Sequence, residues 1–311
     1  MQRQCSRRVL VIVALFGGTG CGGAPSIPGS LPAPARAASA RHPDYRYHRR
    51  LVFESDDLQK AVNVYAASAL AKNPMPIATI DVQRGCPTGL AMDQTGTLYV
   101  LDACNGNDIE QYPPGRTTPS VTITNGVNSP IGAAIDGNQT LYVSNTSPAS
   151  IAEYSYGSTS PSRTISGQGL VDPLGIAVDR NGGLYIADDG AAGVFLVPAG
   201  TSNVVPLNLK GVSEPLAVAV EPTTGDLWVG DGASGSVNIY RPGSAIPART
   251  LGGLMYPFAM AIEQDGNRKG TAVVGDVDTD AVWAYHPGRY KPYAELTSGI
   301  SFPDGLLIAT P

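Results

Sequence analysis

Histidine is almost missing from this chain of 311 residues: there are three, and only His286 lies beyond residue 50. A Ser-His-Asp relay and a His-ligated zinc both need an imidazole inside the site, so neither chemistry is expected. Charge is sparse as well, at 15%, and unevenly signed. From residue 51 onward there are 25 Asp and Glu against 13 Lys and Arg, a net of −12. An acidic body repels phosphate backbones, which removes nucleic acid from the expected partners. No apolar run reaches membrane-spanning length: VLVIVALF, at 9 to 16, is far shorter than the roughly 20 residues a spanning helix needs. What the sequence does have is 37 Gly and 26 Pro among 42% apolar residues. That is material for a large core without long helices, and an all-β domain is expected.

Arg3, Arg7 and Arg8 precede the short apolar run, and GGTG follows it before Cys21. This resembles a bacterial lipoprotein signal, with residues 1 to 20 removed and Cys21 carrying lipid; Gly18 stands where that pattern usually has Leu. The alternative is an ordinary secretory signal cut near Ala35-Arg36-Ala37. Two or three acyl chains would hold the protein stably at a membrane, and Gly22 in place of Asp implies, by the same resemblance, the outer membrane. Residues 22 to 40 are mostly Pro, Ala, Gly and Ser, a tether, and RHPDYRYHRR (41 to 50) continues it with a basic stretch able to rest on anionic lipid or cell-wall polymer.

From residue 51 to 311 the chain repeats. One segment appears as PTGLAMD (87 to 93), PIGAAID (130 to 136), PLGIAVD (173 to 179), PLAVAVE (215 to 221), PFAMAIE (257 to 263) and PDGLLIA (303 to 309). A second appears as LVFESD (51 to 56), LYVLD (98 to 102), LYVSN (141 to 145), LYIAD (184 to 188), LWVGD (227 to 231) and TAVVGD (271 to 276). A third ends at Tyr65, Tyr112, Tyr154, Val197, Tyr240 and Tyr285, and a fourth reads IATI, VTIT, SRTI, VPLNL, ARTL and YAEL. Leu98, Leu141, Leu184 and Leu227 are spaced by 43 residues. Four short strands per unit, rich in β-branched and aromatic residues and bounded by turn formers, predict a six-bladed β-propeller of four-stranded blades. The chain starts on a second-type strand and ends on a first-type strand, so PDGLLIA is expected to complete the blade begun by LVFESD.

The P-x-G-I-A-V-D, G-x-L-Y-V-A-D and V-x-x-Y pattern resembles NHL-repeat propellers and, more loosely, the six-bladed group containing gluconolactonase and regucalcin-like enzymes. It covers residues 51 to 311. The chain departs from the NHL pattern where an Arg is usual before the third strand, having Ala61, Ser150, Gly193, Ser236 and Ala281 in five blades. The likeness implies fold; propellers host many unrelated functions, so it does not by itself imply an activity.

Asp56, Asp102, Asn145, Asp188, Asp231 and Asp276 recur once per blade at the end of the second strand, where a short acceptor can bind turn N–H groups. A residue present in every blade is expected to hold every blade. Functional residues are sought where the symmetry breaks. Loops entering the first strand and leaving the second open together at the channel mouth, and they carry Arg84, Asn128, Asp172, Glu214, Tyr256 with Phe258, and Phe302 with Asp304. Carboxylates and aromatics there suit a cation, a sugar or a peptide end. Cys86 and Cys104 fall in loops on this same face, and a disulfide between them is expected in an exported protein; a reactive thiol pair is the alternative. No catalytic residue is assigned. The run GDVDTD (275 to 280) lacks the Gly and terminal Glu of a calcium loop and reads as a turn.

Two functions remain open. One is a monomeric, noncatalytic, envelope-tethered propeller binding a protein, peptide or glycan, with no cofactor. The other, implied by the looser resemblance, is a cation-dependent hydrolase or lactonase of the gluconolactonase type. It would hold Ca2+ with Asp172, Glu214, Asp304 and Asn128, for which no motif fixes a geometry.

Overall fold

The computed structural model describes residues 50–82, 85–104, 106–264 and 269–309. The signal segment, the lipid-attachment position Cys21, the tether up to Arg49, and Arg84 lie outside the described residues. Six four-stranded antiparallel sheets follow one another as blades, each running from an inner strand to an outer one. Blade two is Pro87–Met92, Leu98–Asp102, Asp108–Tyr112 and Val121–Ile123. Blades three to six begin at inner strands Pro130–Ile135, Pro173–Val178, Pro215–Val220 and Pro257–Ile262.

Blade one is assembled from both ends of the repeat region. Its inner strand is Pro303–Ala309, which pairs with Leu51–Asp56, from Leu51 opposite Ala309 to Asp56 opposite Pro303. Ala61–Ala66 and Ala78–Asp81 complete it. The expected closure is present, and blade one has four strands like the other five.

Strand alternation sends one set of side chains to each neighbouring blade, so the core is a ring of apolar clusters lying between blades. Leu51, Phe53, Val62 and Val64 of blade one meet Leu90, Leu98 and Val100 of blade two, while Val52 and Tyr65 meet Val273 and Val282 of blade six. The inner strands approach closely around the channel. A Cβ on Gly89 would lie 2.5 Å from the Ile131 carbonyl oxygen, and one on Gly305 would lie 2.1 Å from that of Thr88. The glycine of the P-x-G segment is thus a contact requirement, and it coincides with a break in the pairing register just after the proline.

Two elements differ from expectation. The outer strand of blade four is only Val205–Pro206, not the five residues of VPLNL; Pro206 brings no N–H to a ladder and both residues are exposed. In blade one, the stretch between the third and outer strands folds as a 3-10 helix, Ala67–Lys72, burying Ala67 and Leu70 and ending at Asn73 in the left-handed region. No helix among the described residues is long and apolar enough to cross a membrane.

Candidate functional site

The recurrent aspartates are fasteners. Asp188 accepts hydrogen bonds from the backbone N–H groups of Val171 and Asp172, which enter the inner strand of its blade, and of Ala191, which leads to the third strand. Asp231 does the same for Ser213, Glu214 and Ser234, and Asp276 for Met255, Tyr256 and Asp278. Asp56 binds Gln59, Ser301 and Phe302, and Asp102 binds Cys86 and Cys104. Asn145 accepts from Asn128 and donates through its amide to Gly126. Each side chain joins the loop arriving from the previous blade to the strand ends of its own. The third-strand tyrosines add a clamp on the same connections: Tyr65, Tyr154 and Tyr240 donate to the carbonyls of Ser298, Asn125 and Lys210.

Because these bonds hold both loop sets, the loops entering the inner strands and those leaving the second strands share one face, as expected. Cys86 and Cys104 are joined there by a disulfide, their Cα atoms 5.3 Å apart. His286 is exposed beyond the third strand of blade six and stacks on Tyr293 at 3.9 Å. GDVDTD ends in a turn after Asp276.

The expected ligand residues are distributed unevenly around the mouth. Glu214, entering blade five, accepts a 2.7 Å hydrogen bond from the Tyr256 hydroxyl, entering blade six. Tyr256 lies nearly parallel to Phe258, with centroids 6.4 Å apart. Phe258 and Asp304 both line the channel, whose cavity is about 50 Å3 and whose other walls are glycine and apolar side chains such as Ile131, Ala217 and Met260. Phe302 is half-buried beside Asp304 in sequence, its N–H held by Asp56. Asn128 is exposed in blade three and Asp172 half-buried in blade four. Burial first, and then the charges of Asp188 and Asp189, raise the Asp172 carboxyl to about 6.

The structure therefore joins Glu214, Tyr256 and Phe258 into one sector next to Asp304, and leaves Asn128 and Asp172 in other blades. It does not gather Asp172, Glu214 and Asp304 into one coordination sphere. Among the described residues, the three ligand-type side chains whose donor atoms all lie within 4.8 Å of one another are Asp57, Cys86 and Cys104, and the two sulfurs are bonded to each other.

Sequence reasoning missed Glu54 and Asp57. Glu54 occupies the position filled by Val100, Val143, Ile186, Val229 and Val274 in the other blades, is 0% exposed, and has a pKa raised well above normal by burial, then by Asp56 and Asp304. The aligned repeats carried that signal. Asp57 follows the fastener Asp56 and has a raised pKa through burial and the Asp56 charge.

No known protein family and no curated protein matches this sequence. Among solved structures, a chain in the crystal structure of a nidogen/laminin complex superposes with a TM-score of 0.69. The match covers 84% of this chain and 98% of that one at 19% identity, a likeness of fold.

Proposed function

We propose that this chain is a noncatalytic, exported, envelope-tethered propeller that presents the mouth of its channel to a protein partner. The observation that carries the reading is the joined sector Glu214–Tyr256–Phe258, running across blades five and six to Asp304. Here expected binding side chains from different blades meet one another. Met255 and Leu58, 61% and 63% accessible, lie on mouth-side loops of blades six and one, and large exposed side chains on these loops are open to contact by a partner. The NHL-like repeats, the lipoprotein-like N-terminus and the fold match to a chain crystallised in a two-protein complex point the same way. The lactonase alternative has no comparable support, since among the described residues Asp172, Glu214 and Asp304 do not bring their carboxylate oxygens within 4.8 Å of one another.

A photo-crosslinking side chain at Met255 is expected to form a discrete adduct in cells, and the same group at Ile246, equally exposed on the third-to-outer-strand loop of blade five, is expected to form none. Indistinguishable patterns at the two positions, together with turnover of a simple aldonolactone by the purified chain, would overturn the reading.

A further inference from the structure

Blade one breaks the repeat in two places that no blade-holding role explains. Glu54 replaces a core Val or Ile; one of its oxygens accepts from the Asn63 amide at 3.1 Å, and the other, Oε1, is buried with no partner. Such a group is costly, and an apolar residue there would ordinarily be better. Asp304 stands where the other inner strands have Thr88, Ile131, Leu174, Leu216 and Phe258, and among the described residues lining the cavity it is the charged one. The two are close in the sheet: Glu54 pairs with Leu306, two residues beyond Asp304. Asp56 and Asp304 both act electrostatically on Glu54, and Asp57 and Asp56 on Asp304. A fully buried, half-satisfied carboxyl thus stands on the strand next to, and within electrostatic reach of, an acid that lines the cavity.

We infer that this mouth receives the ammonium group of a lysine carried by the protein partner; the inference rests on the binding-face reading above. Charge and geometry select the class. The cavity, about 50 Å3, has room for an ammonium together with ordered water. A calcium ion needs six to eight converging oxygens, whereas these carboxylates form no such group within 4.8 Å. An ammonium has three donors that reach separate acceptors. Phe258, on the adjoining inner strand of blade six, supplies an aromatic wall for the cation and its methylene stem. A free amine would leave Met255 and Leu58 uncovered, and the domain's net charge of −12 favours a basic protein segment.

The test uses the full chain in detergent micelles and the peptide acetyl-Gly-Lys-Gly-amide, read by saturation-transfer NMR, with the Nε-acetylated peptide as the neutral control. The lysine peptide is expected to bind saturably, and the acetylated one not to bind. Asp304→Asn is expected to weaken binding by about tenfold or more, with Glu54→Gln weakening it less. Asp226→Asn, the same charge change on the far face, leaves it intact. Equal binding of the two peptides, no binding, or an unchanged Asp304→Asn would overturn the inference. So would binding seen only with Arg84→Gln, because the site would then belong to the chain's own arginine. If the peptide fails while the Met255 crosslink still forms, the binding face stands and the lysine falls.

Discussion

A carboxylate surrounded by donors has little capacity left for chemistry, and Asp231 shows what it does instead. It accepts from three backbone N–H groups and the Ser234 hydroxyl, so Asp231→Ala strands several donors at a buried position. Each unsatisfied donor costs roughly 1–3 kcal/mol, and a loss of about 3 kcal/mol in urea unfolding is expected; a change below about 1 kcal/mol would contradict the fastener role. Asp172 is a different case, because its carboxyl rises to about 6 from 3.8 in the folded chain. The folded state holds that proton more tightly than the unfolded state does. Its contribution is therefore fully present below the ordinary carboxylate range and is lost as pH climbs through about 6. Glu54, Asp56, Asp57 and Asp304 are raised too and act in the same direction. Asp172→Asn should consequently show a smaller fall in melting temperature between pH 4 and pH 7 than the parent chain, and identical profiles would refute the shift.

At the level of strands and loops, the 43-residue spacing made the blades legible, because identical blades impose identical strand lengths and turns. The short outer strand at Val205–Pro206 and the 3-10 helix Ala67–Lys72 were not, since both lie in connections the repeat does not constrain. The site was legible as a set of loops but not as a sector: Tyr256 meets Glu214 across 42 residues, and such contacts depend on the curvature of the ring. Glu54 was readable in the aligned repeats as a single acid among valines and an isoleucine, though periodicity alone treats it as one more strand residue. Its place between blades one and six yields a prediction at this scale. Glu54→Val restores the side chain used elsewhere and removes a buried carboxyl with an unpartnered oxygen. Stability should increase by about 1–3 kcal/mol, as when buried polar groups are replaced by well-packed apolar ones. Loss of stability instead would mean that Glu54 is held by contacts better than the Asn63 bond alone.

For the whole ring, the chain ends matter more than their position in the sequence implies. Leu51 pairs with Ala309, and the six-residue ladder behind them is the bond that closes six blades into one body. Ending the chain at Ser301 would delete the inner strand of blade one, exposing Leu51–Asp56 and removing Asp304, Leu306 and Ile308 from contact with blades two and six. An unpaired edge beside an apolar gap favours aggregation, so this truncation should give insoluble protein or one without a cooperative unfolding transition. The same geometry predicts the opposite for a circular permutant. Joining Ala309 to Leu51 by a short loop and opening the chain in the exposed turn at Gly157 to Ser160 keeps every ladder and every fastener. Short surface connections cost little to exchange, about 1 kcal/mol or less. The permutant should unfold cooperatively near the parent midpoint while the truncated chain does not. If both fold equally well, the seam in blade one is not what holds the ring, and the core clusters between blades suffice on their own.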